Sequence, residues 1–133
     1  IYVLILCAGF GVILGHNFPF YLKFKGGKGI AATAGIMFSL DWRLTAVCLL
    51  AFVLIVAVTR YVSLGSLVVS AIFLCWNIYF GHLGAYGLAP EARPQFYAVS
   101  AVIAAMAFWR HRANIVRLVQ GRENKVGAKK KTE

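Results

Sequence analysis

The sequence predicts an all-α fold, a polytopic helical bundle embedded in a membrane. Three observations predict it. The chain is 61% hydrophobic and only 14% charged, with a mean hydropathy of +0.77, whereas a soluble domain carries about a quarter of its residues as charges. Residues 1–15, 44–59, 61–80 and 95–109 contain no Lys, Arg, Asp or Glu, and each stretch is near the length a helix needs to cross hydrocarbon. The formal net charge of +10 is uneven: eight of the fourteen Lys and Arg residues lie at or after Arg110, and three more are Lys23, Lys25 and Lys28. Basic residues gathered between apolar segments are what the positive-inside rule produces. Membrane topology therefore accounts for them without nucleic-acid binding.

The first apolar stretch begins at Ile1 rather than Met, with no basic n-region and no small-residue cleavage site. The chain is expected to be a piece of something longer. A fifth apolar stretch, residues 29–40, is short: its twelve residues reach about 18 Å as a helix. Sidedness decides how to read it. If it crosses, extended toward Arg43 or covering thinned bilayer, then the lysine loop, the Arg60 turn and the basic tail share one face, leaving Asp41, Arg43, Glu91 and Arg93 on the other. If it re-enters, the tail is stranded opposite the lysines. The expectation is five crossings, with residues 1–109 forming the bundle and its cytoplasmic loops. Residues 110–133 would form a cytoplasmic amphipathic helix and basic tail, and "AKKKTE" would touch anionic lipid. Cys7, Cys48 and Cys75 suit neither a zinc site nor a disulfide framework, and read as buried small hydrophobes.

In this topology two helices start on the cytoplasmic face, one after Gly29 and one after Ser63 or Ser66, so their unpaired N–H groups favour an anion there. Three polar segments lie at that face. In "KFKGGKG", Gly26, Gly27 and Gly29 permit positive φ, so that backbone N–H groups can converge while Lys25 and Lys28 add charge. The segment suits a phosphate cradle, or simply a positive-inside loop with turn glycines. It is not a Walker A loop, because Lys28 is followed by Gly29. His16 opens the same loop, as a structural or a substrate-binding histidine. In "RYVSLGS", either Ser63 or Ser66 can cap the next helix while the other hydroxyl stays free. In "RHRANIVRLVQGRENKVG", His111, Asn114 and Arg117 fall on one helix face, and His111 can act as a base or as a donor to phosphate. No cluster of metal-ligating residues is apparent, so no metal or other cofactor is expected.

In combination, "GHNFPFYLKFKGGKGIA", "RYVSLGS" and "HRANIVRLVQGREN" resemble the bacterial acyl-phosphate:glycerol-3-phosphate acyltransferase (PlsY) family, in family order and over essentially the whole chain. The resemblance implies a multi-pass inner-membrane enzyme of seven helices, the last five corresponding to those described, with the C-terminus cytoplasmic. It also implies an N-terminal SGNIGATN-like motif with a nearby arginine, which this sequence lacks. The implied reaction moves a fatty acyl group from acyl phosphate to the 1-hydroxyl of sn-glycerol 3-phosphate, in phospholipid biosynthesis. The products are lysophosphatidic acid and phosphate. The partners are those two substrates and membrane lipids, with no nucleic acid.

On that reading His111, Asn114 and Ser63 are the catalytic candidates. His16, Lys25, Gly26, Gly27, Lys28, Gly29, Ser66 and Arg117 are the substrate-binding ones. The hydroxyl proton can pass to His111 or to a substrate phosphate oxygen. The competing class is a phosphate or organic-anion transporter fragment, or a scaffold that binds anionic lipid. A transporter would place its polar groups near mid-bilayer, whereas these motifs cluster at one face.

Overall fold

The structure, a computed structural model, describes residues 1–19 and 28–128. It is all-helical over them. Six α-helices follow one another: α1 (Tyr2–Asn17), α2 (Ile30–Leu40), α3 (Trp42–Thr59), α4 (Val62–His82), α5 (Arg93–Arg110) and α6 (Arg112–Val119), with a 3-10 turn at Pro90–Ala92 before α5. The five apolar stretches read from the sequence coincide with α1 to α5. Helices α3 and α4 are long and apolar enough to cross a membrane by length and composition, while α1 and α2 are apolar but shorter.

An apolar solvent explains both the helices and their surfaces. Without water, each backbone N–H and C=O must be satisfied within its own segment, which a helix does. Val47, Leu49, Leu50, Val53, Leu54 and Val58 of α3 all face outward, a pattern that water would penalise and lipid does not. Cys7 and Cys75 are likewise exposed on helix surfaces, so only Cys48 is buried as expected.

Lipid tails give helices no hydrophobic reason to associate, so close packing through small residues carries more of the work. Three glycines provide it. A Cβ at Gly9 of α1 would lie 2.4 Å from Ile36 of α2, one at Gly65 of α4 would lie 2.9 Å from the Phe52 ring of α3, and one at Gly81 of α4 would lie 2.8 Å from Tyr97 of α5. Around these seats the core is built from Leu6, Ile13, Met37, Leu44, Phe73, Phe96 and Ile103.

Successive helices alternate in direction, as the residues gathered at each end show. The starts of α2 and α4 meet the end of α5 around one cavity. The starts of α1 and α3 meet the ends of α2 and α4 around another. The reversal between α2 and α3 takes a single residue. Asp41 closes α2 with its N–H on Met37 O (3.0 Å), and its carboxylate accepts the Arg43 N–H at the start of α3 (2.9 Å). This cap stops α2 at Leu40, so the extension toward Arg43 does not occur.

Candidate active site

Lys28 sits just before α2, next to Gly29, whose φ of +76° makes it the left-handed N-cap of that helix. The positive φ expected of this glycine is therefore used. A side chain there would also press within 3.0 Å of Asn17 Oδ1 and Ile13 Cγ2. From this turn the Lys28 ammonium reaches α6 and donates to Asn114 Oδ1. That bond joins residues 86 positions apart, and it places Lys28 and the His-Asn-Arg face at the same end of the bundle.

The two segments share a cavity of about 550 Å³ with a third. Its polar walls are Lys28, Ser63, Ser66, His111, Asn114 and Arg117, together with Glu123 and Asn124. Six of the eleven predicted site residues thus surround one space, and a seventh, Gly29, forms the turn beside it. His16 is not among them: it is exposed near the end of α1 and does not line the cavity. Lys25, Gly26 and Gly27 lie outside the described residues.

The serines arrive differently from the expectation. Helix α4 begins at Val62 with Tyr61 as its N-cap and no side-chain cap bond, while the Thr59 hydroxyl takes the Tyr61 N–H (3.2 Å). Neither serine is the cap. Both are buried in the first turns, where Ser66 Oγ donates back to Val62 O (3.0 Å) and keeps lone pairs to accept with.

Sequence reasoning missed Glu123 and Asn124. They lie beyond α6, in an irregular segment folded back over the cavity. Arg60 holds that segment: its Nε and Nη2 donate to Val126 O, the former at 2.9 Å, and the Val126 N–H returns a bond to Arg60 O (2.9 Å). The φ of +62° at Arg60 is the only left-handed non-glycine backbone among the described residues. Sequence pattern carries no signal for a pairing of this kind. Glu123 Oε1 accepts the Asn124 N–H (2.9 Å) and faces Arg117 Nε (3.4 Å).

Charge is in surplus around this space. Burial lowers the Lys28 pKa, with Arg117 and Arg110 lowering it further and Glu123 opposing them. Burial also lowers His111, and Lys28 and Arg110 add to that effect against the Ala107 carbonyl and Glu123. Burial alone would raise Glu123, but the Asn124 N–H, Asn114 and Arg117 hold it below the usual carboxylate range. The ring of His111 is oriented as well. Its Nδ1 lies 2.8 Å from Ala107 O, and a carbonyl only accepts, so Nδ1 carries a proton. The neutral ring then keeps its lone pair on Nε2.

A single cavity with several cationic donors, two serine hydroxyls and an oriented neutral imidazole is suited to a phosphate-bearing ligand. Comparison with known proteins decides the family: the glycerol-3-phosphate acyltransferase family model matches residues 1–121. The chain belongs to this family. It is 40% identical over 126 residues to a glycerol-3-phosphate acyltransferase of Paramagnetospirillum magneticum, covering 95% of this chain and 57% of the relative. To the enzyme of the same name from Rhodospirillum rubrum it is 41% identical, covering 95% of this chain and 53% of the other.

Among solved structures it is similar to PlsY (YgiH), an integral membrane glycerol 3-phosphate acyltransferase. The match to the glycerol 3-phosphate form has a TM-score of 0.75 at 31% identity, covering 92% of this chain and 56% of that one. The match to the lysophosphatidic acid form has the same TM-score at 33% identity, covering 92% and 57%. This acyltransferase-family chain is accordingly an integral membrane protein, and it spans somewhat over half the length of the relatives it matches.

Proposed function

We propose that the protein transfers a fatty acyl group from acyl phosphate to the 1-hydroxyl of sn-glycerol 3-phosphate, releasing lysophosphatidic acid and phosphate. It would act at the cytoplasmic face of a bacterial inner membrane. The observation that carries this reading is the meeting of Lys28, Ser63, His111, Asn114 and Arg117, from three distant segments, on one cavity at one end of the bundle. The names of the relatives agree with it.

Acyl phosphate is an activated donor, so alignment and charge stabilisation are most of what the protein must supply. The glycerol hydroxyl oxygen attacks the acyl carbonyl carbon. A new C–O ester bond forms, the bond from that carbon to the phosphate oxygen breaks, and phosphate leaves with the electron pair. The hydroxyl proton goes to His111 Nε2 or to a substrate phosphate oxygen. Lys28 and Arg117 hold phosphate oxygens, the latter with the donors that Glu123 leaves unused. Ser63, Ser66 and Asn114 orient the acceptor. Each hydrogen bond to a charged group contributes about 1.5–3 kcal/mol, so three or four give millimolar to micromolar binding after ordering costs.

The decisive assay uses the full-length protein in vesicles. Phosphate release from acyl phosphate that depends on glycerol 3-phosphate is the expected result. Transmembrane phosphate flux without turnover would replace this reading with a transporter.

A further inference from the structure

At the Lys28 end of the bundle, the outer surface where α1 meets α5 carries a crevice of about 410 Å³, lined by Phe18, Val102, Ala105, Met106 and Trp109. It shares no residue with the polar cavity. Its four α5 residues follow one another at three- or four-residue steps, so they form a single stripe, and from Trp109 inward to Val102 the stripe covers two turns of helix, about 10 Å. Its mouth is aromatic. Phe18, the C-cap of α1, and Trp109, in the last turn of α5, set their ring centroids 6.1 Å apart, and the Arg110 guanidinium lies over both, at 5.1 Å and 5.9 Å.

A second guanidinium stands at the same rim. Arg112, the first residue of α6, is exposed; its guanidinium carbon lies 4.4 Å from the Trp109 ring centroid, and its Nη1 donates to Trp109 O (2.9 Å). These contacts fix the plane of the fork while Nε and Nη2 stay without a partner among the described residues. No described carboxylate serves them: Glu123 is engaged by Arg117 and Asn124, Asp41 by Arg43 and Trp76, and Glu91 precedes α5 at its opposite end. The charge is open to an anion from the surroundings.

We infer that this crevice binds an anionic diacyl phospholipid of the leaflet at the Lys28 end, with the headgroup phosphate on Arg112 and one acyl chain along the stripe toward Val102. The acyl-transfer reading is not needed for it. An apolar crevice in a bilayer has no hydrophobic preference for one lipid tail over another, so the arginine, and not the tail contacts, selects the ligand. Its planar fork matches two phosphate oxygens, and tryptophan settles at headgroup depth, which brings Arg112 level with a phosphodiester. A zwitterionic headgroup would carry its own cation against Arg110 and Arg112, whereas a free phosphate ion would leave the crevice unused. Trp109, Arg110 and Arg112 also bracket His111, whose ring lines the polar cavity instead. A lipid held there braces the corner between α5 and α6.

The test uses the full-length protein in phosphatidylcholine vesicles doped with a phosphatidylglycerol that carries a mid-chain diazirine. Irradiation is expected to label residues 102–109, and excess plain phosphatidylglycerol, but neither phosphatidylcholine nor inorganic phosphate, should compete the label away. Arg112→Gln should lower the labelling by about fivefold, the effect of one basic residue at an anionic surface. Ala105→Phe, at an exposed position, should fill the crevice and abolish it. Arg122→Gln is the control, because it removes an equal charge from the exposed chain just after α6, and it should leave the labelling within about twofold of the unsubstituted protein. Equal losses from Arg112→Gln and Arg122→Gln would reduce the site to general surface charge and overturn the inference. Competition by phosphatidylcholine, or labelling as strong over α3, would mean bulk lipid and would overturn it as well. Displacement by inorganic phosphate would replace the lipid with a free ion, and α5 left unlabelled would mean that another part of the full-length chain covers the crevice; either result ends the proposal.

Discussion

The two ends of the bundle carry cavities of nearly equal size, about 550 Å³ at the Lys28 end and about 530 Å³ at the Asp41 end. Each has a buried carboxylate beside an arginine, yet they differ in what is left over. Asp41 accepts from Arg43 N–H, Nε and Nη2 at 2.9, 3.1 and 3.1 Å, and from Trp76 Nε1 at 3.3 Å. One acid consumes the donors around it. At the other end Glu123 faces Arg117, while the Lys28 ammonium, bonded to Asn114 Oδ1, keeps further N–H donors that the carboxylate does not absorb, and the His111 ring offers its Nε2 lone pair. The proposed anion site is thus distinguished by a surplus of donors after internal pairing, because Arg43, bonded through both Nε and Nη2, has less left to offer a ligand than Arg117, which faces its acid through Nε alone.

Removing His111, the proposed base, should break the comparison most visibly. His111→Ala in the full-length protein should lower kcat by about 100-fold or more, within the range general bases supply. Near-normal turnover would leave a substrate phosphate oxygen as the proton acceptor. On the proposed function, the unsubstituted full-length protein should lose activity as pH falls through a His111 pKa below the ordinary imidazole range, since burial favours the neutral ring. A pH–rate profile lacking that acid limb would remove His111 as base.

Lys28→Met follows, with an expected loss of about 10- to 100-fold in kcat/KM for glycerol 3-phosphate or for acyl phosphate, as one charged hydrogen bond predicts. The matched Arg43→Met should leave both values within about twofold. If the two variants fell together, donor surplus would not be what separates the ends.

The contrast also shows what a sequence can reveal. Periodicity put His111, Asn114 and Arg117 on one face, and nearly two turns of helix, from the N-cap His111 into α6, deliver them to one cavity. Gly29 was legible because a lysine-glycine turn before an apolar helix needs a left-handed residue. Ser63 and Ser66 were legible as polar but not as to role: the backbone of Tyr61 caps α4, and one helical turn carries both hydroxyls inward. Glu123 was hidden because its position depends on Arg60 gripping Val126 across 66 residues. Hydropathy misjudged Cys7 and Cys75 for a related reason, since an apolar segment in lipid looks the same whether its side chains face a neighbour or the bilayer.

The paired end should show itself in stability rather than in catalysis. Burial would raise the Asp41 pKa, but its bonds to Arg43 and Trp76 hold it below the usual carboxylate range. Its contribution is therefore complete above the ordinary carboxylate pKa, about 4, and is lost as pH falls through the lowered folded value. Asp41→Asn should flatten the acid side of the unfolding profile in detergent, with acyl transfer at neutral pH preserved. An unchanged acid limb would mean that Asp41 is not linked to folding.

The smallest expected effect comes from the network behind that carboxylate. Tyr86 Oη donates to Asn77 Oδ1 (3.1 Å), and Asn77 Nδ2 donates to Ser100 Oγ (3.1 Å); Asn77 and Ser100 are both fully buried. Tyr86→Phe removes one bond and orphans an amide oxygen, at a cost of about 0.6 kcal/mol if it behaves like bonds between membrane helices. Burial, then the Asp41 charge, push the Tyr86 pKa up to about 12. The unfolded chain, near the ordinary tyrosine value of about 10, therefore releases the proton first. Stability from this group is whole below about 10 and declines as pH rises from there to about 12. Tyr86→Phe should be slightly less stable at neutral pH and should lose that part of the alkaline slope, with transfer kinetics unchanged. A change in transfer kinetics would show that the two ends are coupled through α4, and the division between a paired end and a surplus end would have to be redrawn.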